Sequence, residues 1–137
     1  MYPEEIVMPM KAELTDNGFE ELTTPEEVEE AINGEGTTLV MINSVCGCAA
    51  GSARPAVVMA VNNATKRPDR LTTSFAGFDV AAVKRIREIL LPYPPSSPSI
   101  ALFKDGELIH MVERYQIEGR PAQVIARNLI AAFETYC

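Results

Sequence analysis

The feature that most constrains this chain is a seven-residue run, Thr37-Thr38-Leu39-Val40-Met41-Ile42-Asn43, that opens directly into Ser44-Val45-Cys46-Gly47-Cys48. A short, apolar, β-branched run of this kind predicts a buried central strand. The stretch after it, Ala49 to Ala64, is rich in Ala, Val and Met and predicts a helix despite Gly51 and Pro55. Two cysteines therefore stand where a buried strand gives way to a helix.

The rest of the chain places that junction in a pattern. Ile6, Val7, Met10 and Leu14 recur at helical spacing over residues 3–16, and Asn17-Gly18 ends the helix. Thr24 is a good N-cap, Pro25 suits the first helical position, and Glu27 completes a capping box. Val28, Ala31 and Ile32 face inward until Asn33-Gly34 stops that second helix. Leu71 to Phe75 reads as a strand. Ala81 to Leu91 reads as a helix with Val83, Ile86 and Leu90 on its inner face. Pro92, Pro94, Pro95 and Pro98 punctuate a rigid loop. Two strands follow, Ile100 to Phe103 and Leu108 to Val112, around an Asp105-Gly106 turn, the strongest short hairpin signal. Pro121 to Tyr136 predicts a closing helix with Val124, Ile125, Leu129 and Phe133 along one side.

Strand–helix–strand crossovers make parallel neighbours and the Asp-Gly hairpin makes antiparallel ones. The expected fold is α/β: a thioredoxin-like three-layer sandwich, with a mixed central sheet and helices on both faces. No linker divides the chain, so residues 1–137 are expected to form one such domain, with residues 1–35 as an N-terminal helical extension.

Composition excludes several functions. A net charge of −7, with basic residues scattered apart from Lys66, Arg67 and Arg70 in a solvated turn, argues against nucleic acid as a partner. No apolar run approaches the ~20 residues that cross a bilayer, and Met1-Tyr2-Pro3-Glu4-Glu5 has no signal-peptide character. The chain is thus expected to be cytoplasmic and free of membrane. Three cysteines do not build a secreted disulfide framework; in a reducing compartment they point to chemistry or metal.

At a helix start the unpaired backbone N–H groups favour thiolate over thiol, and thiolate is the nucleophile of disulfide exchange. Cys46 is placed to use that field. Gly47 removes bulk between the sulfurs and allows backbone angles that other residues resist. Cysteines two apart form a tight ring, expected to be labile rather than structural. Two other readings stay open. The cysteines could be small buried hydrophobes. Alternatively, they could hold a metal or a partner in a non-catalytic module, although one His and one further Cys leave a tetrahedral zinc shell short. Pro98, in Ser96-Ser97-Pro98-Ser99, stands where thioredoxin-like proteins place a cis-proline against the active cysteines, with its neighbours pairing with substrate backbone. Pro55 either kinks the active-site helix or marks a later start.

Asn43 to Gly51, followed by Ala53-Arg54-Pro55, resembles the signature of the bacilliredoxins. The likeness extends through Gly18 to Thr24, Glu35 to Val40, Phe75-Ala76-Gly77, Pro95 to Ser99, Ile117-Glu118-Gly119 and Ala131-Ala132-Phe133, ending in Cys137. The resemblance implies an enzyme that removes bacillithiol, a small thiol, from mixed disulfides on client proteins. Cys46 matches the attacking cysteine and Cys48 the resolving one; a weak disulfide isomerase or reductase activity is the alternative. No bound cofactor and no metal is implied; bacillithiol or another small thiol is the co-substrate, and a thiol or reductase recycles the enzyme. Gly47, Ser97, Pro98 and Arg54 are the candidate substrate contacts. Bacillithiol carries a malate carboxylate pair, so Arg54 is offered as its anion partner, against the alternative of an arginine solvating the helix surface.

Other residues carry less. Cys137 is expected to be a bystander and His110 a structural histidine. No partner for Asp79 or Glu88 is legible, and Met8, Met10, Met41 and Met59 read as core filler.

Overall fold

In the computed structural model, which describes residues 1–137, the chain runs in the order α1 (Glu4–Thr15), β1 (Glu20–Glu21), α2 (Pro25–Asn33), β2 (Thr37–Asn43). It continues through α3 (Arg54–Asn63), β3 (Arg70–Phe75), α4 (Val80–Ile89), β4 (Ser99–Lys104), β5 (Glu107–Val112), α5 (Arg114–Ile117) and α6 (Ala122–Tyr136). Local chemistry sets many of these bounds. Thr24 caps α2 by accepting from Glu27 N–H at 3.2 Å, and the Glu27 carboxylate returns to Thr24 N–H at 3.1 Å. Asp105 and Gly106 take φ of 50° and 85°, the positive pair that a tight hairpin requires.

The five strands form one sheet in the order β1-β3-β2-β4-β5. The pairs β1–β3 and β3–β2 are parallel, whereas β2–β4 and β4–β5 are antiparallel. Strand alternation divides the core in two. Leu39, Met41, Ile100 and Leu102 face α3 and α6, packing with Val57, Val61, Leu129 and Phe133. Val40, Ile42, Ala101 and Phe103 face the opposite way, onto Val28, Ile32, Val83 and Ile86 of α2 and α4. All seven residues of β2 are buried, as its unbroken apolar run requires. Each such Leu, Ile or Phe contributes about 1.5–3 kcal/mol relative to exposure. The thioredoxin-like sandwich with helices on both faces is therefore observed.

Some expectations need correction. The N-terminal extension is not wholly helical: Glu20–Glu21 adds a strand beside β3, with Leu22 N–H bonded to Thr73 O at 2.8 Å. Two residues give no periodicity to read. The single-turn helix α5 is also too short to announce itself. Val124 lies on the outer face of α6, 44% exposed, because α6 turns Ile125, Ala126 and Leu129 toward the sheet. Of the four methionines, only Met41 is fully buried, and Met8 is exposed. Arg70 is not part of a loop cluster; it opens β3 and pairs with Glu20.

Candidate active site

Strand β2 ends at Asn43, and the chain turns sharply through Ser44 and Val45 before coiling. The Cys46 carbonyl accepts from Ala49 N–H at 3.0 Å and Ala50 N–H at 3.2 Å, which makes Cys46 the N-cap of the helical run. The N–H groups of Gly47 and Cys48 make no hydrogen bond, so the helix start keeps unpaired donors within the cysteine segment. Cys46 and Cys48 are joined as a disulfide, with Cα atoms 5.5 Å apart, within the roughly 4.4–6.8 Å that such a bond spans. Both are partly exposed, and Cys48 leans on the α3–α6 core.

The helix then departs from regular geometry. Ala49–Ala53 is a π-helical turn, closed by a bond from Arg54 N–H to Ala49 O, five residues back. Pro55 follows in the first turn of α3. A proline lacks the N–H of an α-helical bond, and a π turn absorbs that loss without stopping the helix. Pro55 thus neither simply kinks the helix nor simply delays it.

Pro98 is buried at the head of β4, and the Ser97–Pro98 bond is cis. Ser99 pairs with Ile42, so continuing the antiparallel register sets Pro98 and Ser97 beside Asn43 and Ser44. The Pro98 segment and the cysteine segment therefore occupy the same end of the sheet. Arg114, which the sequence did not single out, fixes this segment: its Nη1 donates to Ser97 O at 3.1 Å and its backbone N–H to Ser96 Oγ at 3.4 Å.

Two candidate residues behave differently from expectation. Gly47 does not use glycine's conformational freedom, since its φ is not positive and an added Cβ would meet nothing within 4 Å. It leaves open space beside the sulfurs. Arg54 is no surface arginine: its side chain is 2% exposed, and its Nη1 donates to Asn43 Oδ1 at 3.0 Å and Ser44 O at 2.7 Å.

Two further groups have partners that sequence spacing does not signal. Asp79 accepts from Phe75 N–H at 3.0 Å and pairs with Lys11 at 3.0 Å, tying α1 to the end of β3. Glu88 pairs with Arg85, and His110 Nε2 meets Asn128 Oδ1 at 2.7 Å. Cys137 lies at the far end of β2, against Thr37, away from the other two cysteines. No three His, Cys, Asp or Glu side chains gather closely enough to hold a metal ion. No helix is long and apolar enough to cross a membrane.

A family model described as disulphide isomerase matches residues 2–137. A bacilliredoxin of Cytophaga hutchinsonii is 57% identical over 134 residues, covering 98% of both chains. A bacilliredoxin of Halalkalibacterium halodurans is 53% identical over 137 residues, 99% of this chain and 94% of that one. Among solved structures, oxidised mitochondrial thioredoxin 3 of Saccharomyces cerevisiae superposes with a TM-score of 0.59 at 15% identity, over 90% of this chain and 98% of that one. At that identity the structural likeness establishes the thioredoxin fold. The full-length match and the better-than-half identity to named relatives carry the assignment further: this chain belongs to the bacilliredoxin family of thiol–disulfide oxidoreductases.

Proposed function

We propose that this oxidoreductase removes a small thiol, bacillithiol, from mixed disulfides on client proteins. The observation that supports it best is Cys46 capping the active-site helix, with its partner Cys48 within disulfide reach. The Cys46 thiolate attacks the bacillithiol sulfur of the client disulfide. A Cys46–bacillithiol disulfide forms, and the client cysteine leaves as thiolate and takes up a proton. Cys48 thiolate then attacks the Cys46 sulfur, forming the Cys46–Cys48 disulfide and expelling bacillithiol. The mixed disulfide gains two electrons, ending as client thiol and free bacillithiol, and the enzyme loses two, so a second thiol or a reductase must return the cysteine pair to its reduced state. That requirement fits a reducing compartment, the cytoplasm. Client backbone is read as lying along Ser97 and Pro98, over the open space at Gly47. Arg54 is left out of the contact set because its guanidinium is turned inward.

The test is a Cys48→Ala variant incubated with a bacillithiolated client and followed by mass spectrometry. The expected result is a cleared client and a bacillithiol adduct on Cys46. A client that stays modified, with no adduct on Cys46, defeats the reading. A second reading, a general disulfide isomerase, is favoured by the description of the matching family. Refolding of a scrambled substrate with and without bacillithiol separates the two: an isomerase acts without it.

A further inference from the structure

Arg54 is a buried full charge bonded to the turn that precedes Cys46, and its surroundings neutralise it only in part. Its Nε lies 3.1 Å from Glu13 Oε2 but is not directed at it, so this buried N–H has no hydrogen-bond partner. Glu13 itself is 48% exposed, so water weakens its hold on the guanidinium without abolishing it. A buried charge held so loosely is costly, and aliphatic packing would avoid that cost. What the guanidinium does make is a clamp. Nη1 holds Ser44 O and Asn43 Oδ1, and Asn43 Oδ1 also accepts from Ser44 N–H at 2.8 Å. Asn43 Nδ2 reaches Met10 O at 3.3 Å, and Ser44 Oγ accepts from Cys46 N–H at 3.2 Å. The chain of bonds runs from the guanidinium through Ser44 to the backbone of Cys46.

We propose that Arg54 is a positioning residue for thiol exchange: it fixes the turn that sets Cys46 at the helix start, and its poorly compensated charge favours the Cys46 thiolate. This rests on the reading of Cys46 as the attacking thiol. Two other cations at this end of the sheet are already paired. Lys11 pairs with Asp79 and Glu21, and Arg114 with Glu118. Nη1 has two N–H donors for its two acceptors, and the planar guanidinium holds them in fixed directions that a rotating lysine ammonium does not.

The experiment uses reduced protein in a Cys48→Ala, Cys137→Ser background, so that Cys46 alone is alkylated. Its alkylation rate is followed against pH, with client exchange rate and thermal unfolding measured alongside. Arg54→Lys keeps the charge and loses the fork; it is expected to keep the alkylation profile and slow exchange by roughly ten-fold or more. Arg54→Gln loses the charge and is expected to move the profile upward by on the order of one pH unit. Where Arg54→Gln does not fold, Glu13→Gln carries the charge question, and its profile is expected to move downward. Arg54→Lys exchanging at the parental rate overturns the proposal. So does an unmoved profile in the folded charge variant. Cys46→Ser in the same assay keeps the two readings apart: exchange that survives it defeats Cys46 as the attacking thiol, whatever Arg54 does.

Discussion

The two ends of β2 carry cysteines in opposite surroundings. At one end Cys46 opens a helix, beside N–H groups with no acceptor. About 20 Å away along the strand, Cys137 closes α6, its own N–H bonded to Phe133 O at 2.8 Å. Burial pushes the Cys137 thiol upward, and the Asp69 carboxylate adds to it. A hydrogen bond with Thr37 and the charges of Lys104 and Lys66 pull the other way and lose. A helix C-terminus adds negative potential to that balance. Cys46 thus stands at a helix start with unpaired N–H groups, whereas Cys137 stands at a helix end where burial and a carboxylate push its thiol up. Cysteine reactivity follows which end of a helix the residue occupies and what charges surround it.

The largest expected effect separates the cysteines outright. Cys46→Ser should reduce release of a small thiol from a client to the uncatalysed rate, while Cys137→Ser stays within about two-fold of the parent. An equal loss in both would break the comparison.

The active end also has a buried ion pair, and Lys11→Met would strand Asp79 without a cation. A cost of about 3–5 kcal/mol in urea unfolding is expected. Burial alone would lower the Lys11 pKa, but hydrogen bonds to Glu21 and Asp79 and the charges of both carboxylates raise it overall. The folded ammonium therefore holds its proton more tightly than the unfolded one. Its contribution is full below about pH 10.4 and is lost as pH rises through the higher folded value. Unfolding midpoints above that pH should converge between parent and Lys11→Met; a constant gap would count against the pair.

Alkylation at pH 7 sharpens the contrast further. Less than about 3% of a thiol raised above its usual range is thiolate there, so Cys46 in reduced protein should react roughly ten-fold or more faster than Cys137. Peptide mapping after brief exposure to iodoacetamide reads the ratio.

The smallest effect is Asp69→Asn. The carboxylate accepts from Thr37 N–H at 2.9 Å and from Thr37 Oγ1 at 3.3 Å, so about 1–2 kcal/mol should be lost. Cys137 should alkylate a few-fold faster, and Cys46 should be unchanged.

Much of this was legible because the signals are local. The capping box at Thr24, the Asp105-Gly106 turn and the seven-residue buried run each act through neighbours within a few residues, and so does the helix start at Cys46. That local grammar determined the order of elements, the mixed sheet and the position of the cysteine pair at a strand-to-helix junction. The buried place of Arg54 is not legible in the sequence because its partners lie 10, 11 and 41 residues away, on the strand end and on α1. Nothing in helical spacing says that a guanidinium will be turned under a loop. Asp79 and Lys11 were silent for the same reason, being 68 residues apart. The sequence by itself determined where a reactive thiol could stand. Only the tertiary structure decided what surrounds it, because a thiolate responds to charges and unpaired dipoles brought close in space, and folding alone sets that closeness.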